Sequence, residues 1–241
     1  MGPLIVLCVR SIAPHVPLKK TEPATDYEEI DRWDGGVGWI AHPNEAMLRA
    51  SHALATDEGV WVIDPVDAHG IDDLLAEFGD VAGVAVLLNR HYRDADVVAR
   101  RHDVPVSVPS WFGRIPDLDA PLRRFDERLP GTDYRVLKVA DTFQWEEAAL
   151  YDEATGTLLV PESVGNAPYF TTPGERLGVH PMRRLFPPSV LRGLRPERIL
   201  FSHGRGVIDD ATHTLEDAIR GSRRRTPKLY AENLRMLLQG E

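Results

Sequence analysis

A layered α/β fold is predicted from three observations. Apolar strand-like runs alternate with amphipathic helical stretches through the first half of the chain, a second group of short strands follows in the other half, and three strands run straight into clusters of polar residues. Alternation of the first kind stacks helices on a sheet. Polar clusters at strand ends are where such folds place their sites. With 241 residues and 43% hydrophobic content, the chain can bury a core without disulfide or metal staples, and one domain over 1–241 is expected.

In chain order, Leu4–Arg10 is a β-branched apolar run and reads as a buried strand. It lacks the basic flank of a signal peptide. Residues 15–33 carry Pro17 and Pro23 among polar neighbours and read as an irregular surface excursion; Gly35-Gly36-Val37-Gly38 reads as a turn. Glu45–Leu54 has helical spacing of Met47, Leu48 and Leu54. Strands are then expected at 59–63, 81–88 and 104–108, with helices at 71–78 and 91–102 between them. In the second half, strands at 134–139, 148–151 and 157–160 form a meander around the Asp152–Gly156 turn, which implies antiparallel pairing in a second sheet. Residues 161–188 are rich in Pro and Gly and read as a long loop, with a helical turn within 185–194. Arg198–Phe201 is a last strand. Two helices close the chain, 210–220 and 226–239, the second with Thr226 as N-cap, Pro227 in its first turn, and Tyr230 and Leu234 on one apolar face.

The charge balance is acidic, with a net charge of −9. That argues against nucleic acid as a partner, and no apolar stretch approaches the roughly 20 residues that span a bilayer, so no membrane partner is expected. The single cysteine, Cys8, excludes an internal disulfide framework and a cysteine-based zinc cluster, and a cytoplasmic setting is the expectation. Arg220, Arg223, Arg224, Arg225 and Lys228 form a basic cluster, read mainly as favourable charge near a helix C-terminus.

The polar clusters are Asn89-Arg90-His91-Tyr92-Arg93-Asp94 after Leu88, Pro161-Glu162-Ser163 after Val160, and Ser202-His203-Gly204 after Phe201. Their order and spacing resemble the metallo-β-lactamase fold superfamily over most of 53–219. The resemblance implies a four-layer αβ/βα sandwich. Placed on the family's His-x-His-x-Asp-His motif, Asn89 stands at the first histidine, His91 at the second, Arg93 at the aspartate and Asp94 at the last histidine. Glu162 falls at the bridging aspartate and His203 at the final histidine. The segment of the middle histidine, Asp141–Trp145, contains none, although Glu146 and Glu147 lie beside it.

The resemblance therefore implies a reduced metal set of His91, Asp94, Glu162 and His203, with Asn89, Arg93, Asp64 and His180 around the pocket. One zinc, manganese or iron ion is the expected cofactor; none is expected if Arg93 pairs with Glu162 or Asp94 and fills the space. A dinuclear centre is not expected. Asp64 reads as an outer carboxylate or, more simply, as a residue bonding turn amides. Two functional readings follow: a metal-dependent hydrolase acting on a small ester, thioester or lactone, or a metal-free relative that binds a small molecule or forms a homodimer face. The fold alone does not choose between them.

Overall fold

A computed structural model describes residues 16–239, so the expected strand at Leu4–Arg10, and Cys8, lie outside the described residues. Two sheets face each other. The larger holds seven strands in sequence order: β1 (Glu28–Trp33), β2 (Gly36–Ile40), β3 (Ala50–Thr56), β4 (Gly59–Ile63), β5 (Val81–Ala85), β6 (Val106–Pro109) and β7 (Leu122–Phe125). β1 to β4 are antiparallel neighbours, and β4 to β7 run parallel. Parallel neighbours need crossovers. Two of these are the helices α1 (Ile71–Ala76) and α2 (Ala95–Arg101).

The second sheet orders as β13-β10-β9-β8, from β8 (Arg135–Thr142), β9 (Trp145–Asp152), β10 (Thr157–Val160) and β13 (Arg198–Phe201). β8, β9 and β10 pair antiparallel, as the meander implied, while β13 lies parallel to β10. A minor pair, β11 (Val164–Gly165) and β12 (Gly178–Val179), and the terminal helix α3 (Ala211–Gln239) complete the fold.

The period-two alternation of the strands explains the layers. Val60 and Val62 of β4 pack with Leu74, Leu75 and Val98 of α1 and α2, while Trp61 and Ile63 point the other way. On the opposite sheet, Leu158, Val160, Ile199 and Phe201 pack with Leu215 and Ala218 of α3, while Leu159 and Leu200 meet Trp61 and Ile63 between the sheets. Three cores separate four layers, the expected sandwich.

Four expectations are corrected. Residues 28–33 and 36–40 form a hairpin around Asp34-Gly35, not a surface excursion and a turn. Gly36 needs its identity: its φ is 153°, and a side chain there would collide with the Ala53 carbonyl. Residues 45–49 form a turn leading into β3, not a helix; Leu48 sits at φ 45° and blocks helical continuation. The segment 161–188 is organised around Arg184, a fully buried guanidinium that pairs with Glu175 at 2.8 Å and bonds the Phe170 and Val179 carbonyls. Finally, the two C-terminal helices are one, with Pro227 inside it. Thr226 is no cap: its hydroxyl donates to the Ser222 carbonyl one turn back. Packing on both sides of Pro227, through Ser222 to the Arg184 carbonyl and Asn233 to the Tyr169 carbonyl, holds the helix together.

Candidate metal centre

Strand ends of both sheets bring His91, Glu162 and His203 together, with one ligand-capable atom of each within 4.8 Å of the others. His91 follows β5 by a short turn, Glu162 follows β10, and His203 follows β13. The parallel register Val160↔Phe201 sets Glu162 and His203 side by side. All three are buried.

The ring nitrogens can be assigned from their partners. His91 Nδ1 lies 2.9 Å from Asp64 Oδ2, and His203 Nδ1 lies 2.9 Å from the Met47 carbonyl oxygen. Both partners accept, so both Nδ1 atoms carry the hydrogen and donate. Each Nε2 is then a bare lone pair. The two Nε2 atoms face each other at 3.3 Å, and His203 Nε2 is 3.8 Å from Glu162 Oε1. Burial pushes both imidazoles well below their ordinary pKa, with the neighbouring Arg93 charge acting in the same direction, so neither offers a proton to the other near neutrality. Two facing lone pairs repel unless a cation lies between them. The separation of 3.3 Å matches two nitrogens on one tetrahedral ion with bonds of about 2.0–2.1 Å. The donor set fits a metal.

Asp64 anchors this arrangement. It follows β4 at φ 47°, a left-handed conformation that Asp tolerates better than most residues. Its Oδ1 accepts the Leu87 amide, and its Oδ2 is shared by His91 and the Ser202 hydroxyl, all at 2.9 Å. Asp64 thus ties the Leu87 amide, the His91 ring and the Ser202 hydroxyl together. Burial raises its pKa, opposed first by Arg93.

Arg93 does not enter the centre, and this corrects the reading in which it pairs with Glu162 or Asp94 and fills the space. Its backbone is left-handed (φ 41°), and its guanidinium turns away to bond three carbonyls, those of Ala50, Asp64 and Ser202, at 2.7–3.1 Å. It staples the ends of β3, β4 and β13. Burial lowers its pKa to about 10. Asp94 is likewise not brought into the cluster: its carboxylate accepts the Asp67 amide at 2.9 Å, ahead of α2.

The partner of Glu162 is Arg90, a spacer residue of the motif that sequence reasoning passed over. Arg90 Nη2 lies 2.5 Å from Glu162 Oε2, and its guanidinium stacks 4.1 Å above the Trp145 ring. Burial raises the Glu162 pKa, and Arg90 opposes that rise. Asn89, at the position of the first histidine, donates to Glu146 at 3.2 Å. Glu147 is consumed by the Glu162 and Ser163 amides and the Trp145 indole.

His180 reaches the centre's edge, with Nε2 3.8 Å from Glu162 Oε1 and its ring edge-on to Trp145. Its Nδ1 accepts the Met182 amide at 3.2 Å, so the neutral ring keeps its hydrogen on Nε2, facing Glu162. It offers no lone pair to a metal. Burial lowers its pKa to about 3.

The fold has structural counterparts. The metallo-β-lactamase DIM-1, exposed to ceftazidime, superposes with a TM-score of 0.57 at 7% identity, over 86% of this chain and 99% of that one. The chain has the metallo-β-lactamase fold. The Flv1 flavodiiron core from Synechocystis sp. PCC6803 gives 0.58 at 9% identity over 84% of this chain and 62% of that one. The mono-zinc form of the metallo-β-lactamase FIM-1 from Pseudomonas aeruginosa gives 0.50 at 8% identity, over 85% and 98%. No family profile matches the chain, and no curated protein matches it by sequence.

Proposed function

We propose that the chain is a single-metal hydrolase of the metallo-β-lactamase fold, acting on a small ester, thioester or lactone. The observation that carries this reading is the pair of Nε2 lone pairs held 3.3 Å apart by Asp64 and by the Met47 carbonyl. His91 and His203 would hold the ion through Nε2, with Glu162 as the third ligand. A zinc, manganese or iron ion there supplies Lewis acidity and an activated water.

The rest is done by the chain's own residues. Asp64 fixes the His91 tautomer and ring plane, as outer carboxylates do for metal-binding histidines. Arg90 anchors one oxygen of Glu162 and opposes the rise that burial imposes on its pKa. His180 Nε2 lies 3.8 Å from the other oxygen. Asn89 with Glu146, and Arg93 on its three carbonyls, take up positions where the resembling family places further ligands; this supports one ion over two.

A metal-free binding role is the second reading, favoured by the Arg90–Glu162 ion pair, which engages one carboxylate oxygen. Elemental analysis separates the two. Protein expressed with zinc, manganese or iron should carry close to one equivalent of metal, and His203→Ala protein should carry none; metal-free wild-type protein under all three conditions supports the second reading.

A further inference from the structure

The basic cluster noted in the sequence is not absorbed by the metal centre, and its surroundings are unusual for a chain of net charge −9. Segment 181–186 runs alongside α3. The Ser222 hydroxyl bonds the Arg184 carbonyl, Arg223 Nε bonds the Leu185 carbonyl, and the Tyr230 hydroxyl bonds the Pro181 carbonyl. Along this seam five large apolar side chains point outward: Phe186 at 77% exposure, Met182 at 74%, Leu234 at 57%, Leu185 at 55% and Tyr230 at 52%. Single exposed apolar residues are ordinary, but a contiguous row is not.

At about 100° per residue, Arg220, Arg224, Lys228 and Arg235 fall on the flank of α3 next to the Tyr230–Leu234 ridge and away from the buried Ser222, Thr226 and Leu229. Their charges are largely uncommitted. Among the described residues, the ion pairs of this stretch are Arg220 with Glu216 and Arg225 with Glu175 and Asp217. Arg225 is thus structural, whereas Arg223, Arg224, Lys228 and Arg235 face solvent. An apolar ridge beside a basic flank is the pattern of a helix that lies in a lipid interface.

We propose that this edge, α3 with the 181–186 segment, docks on the surface of an anionic phospholipid bilayer. The basic flank complements acidic lipid and would repel the same flank of a second copy. No helix among the described residues is long and apolar enough to cross a membrane, so the contact is peripheral. The inference is independent of the metal reading.

Sedimentation with vesicles tests it. The full chain should pellet with phosphatidylcholine vesicles containing phosphatidylglycerol, remain in solution with phosphatidylcholine alone, and be released by salt, which screens the contact. An R224E/K228E/R235E variant should lose about tenfold or more of the binding, and Phe186→Ser with Met182→Ser should weaken it, with melting temperatures unchanged. Hydrogen exchange of 182–186 and 230–236 should slow further when anionic vesicles are added, and stay as in the free protein with phosphatidylcholine alone. Three results would overturn the proposal: no binding to anionic vesicles, equal binding to both kinds, or exchange of these segments that anionic vesicles leave unchanged. Displacement from the vesicles by an acidic peptide that binds the free protein more tightly would instead assign the edge to a protein partner.

Discussion

At the scale of single residues, three side chains decide what the centre can do. Asp64 holds one imidazole in the tautomer that leaves Nε2 bare, and an amide in its place holds that hydrogen bond less strongly. Asp64→Asn should therefore weaken zinc binding by about 10- to 100-fold without removing it, measured by competition with a chelator. A buried Arg93–Glu162 pair would make loss of Glu162 cost about 3–5 kcal/mol, because the other charge would be stranded. The partner of Glu162 is instead Arg90, 38% exposed and stacked on Trp145, so the loss is small. Glu162→Gln should change the stability of the metal-free protein by about 1 kcal/mol or less, read from thermal melts. A large drop would mean that Arg93 depends on Glu162 after all. His180 gives a pH signature. Its folded pKa, near 3, lies below the ordinary 6.5, so the unfolded chain binds the proton first as pH falls. Its contribution is fully present above pH 6.5 and is lost on the way down towards 3. The raised carboxyls of Asp64 and Glu162 act in the opposite direction, so the comparison must be between variants. His180→Phe should flatten the fall in stability between pH 6.5 and 5 by about 1.4 kcal/mol per unit, measured by denaturant titration at several pH values.

At the scale of elements, α3 shows how tertiary packing overrides a local signal. Pro227 removes one helical hydrogen bond and crowds the preceding turn, and Thr-Pro reads as a helix start. Yet Ser222, Leu229 and Asn233 are packed or bonded on both sides of it, and the helix runs through. Pro227→Ala should therefore stabilise the protein by about 1–3 kcal/mol, seen as a rise in denaturation midpoint and slower exchange along α3. The same conflict between local and global signals explains the misread 45–54 segment. Met47, Leu48 and Leu54 have helical spacing, and Glu45 does pair with Arg49 four residues on, at 2.7 Å. That pair closes a turn, however, and Ala50–Leu54 is buried on both faces as a central strand, which erases the alternation that marks an exposed one. The hairpin of β1 and β2 carried a readable signal in Asp34-Gly35, a favoured two-residue turn. The strands β4, β10 and β13 were legible because each is a short apolar run ending in a polar break.

At the scale of the whole molecule, the order of strand ends in the sequence was enough to indicate the sandwich and the convergence of His91, Glu162 and His203. It was not enough to indicate where charges point. Arg93 stands at a ligand position and was expected to face the centre; it turns to three carbonyls that lie 29 to 109 residues away in sequence, Asp64 among them. Arg90, at a spacer position, takes the place beside Glu162. Directions of this kind depend on the crossing of both sheets and leave no periodic trace. The distinction matters for function, because an Arg93 guanidinium in the centre would exclude an ion, whereas one turned outward leaves two bare nitrogens facing each other.

Calorimetric titration of the metal-stripped protein with zinc tests that point most directly. The account predicts one equivalent, a raised melting temperature, weakening as pH falls because the imidazoles must be neutral to coordinate, and loss of binding in both His91→Ala and His203→Ala. No heat and no change in melting, or two equivalents that survive His203→Ala, would contradict it.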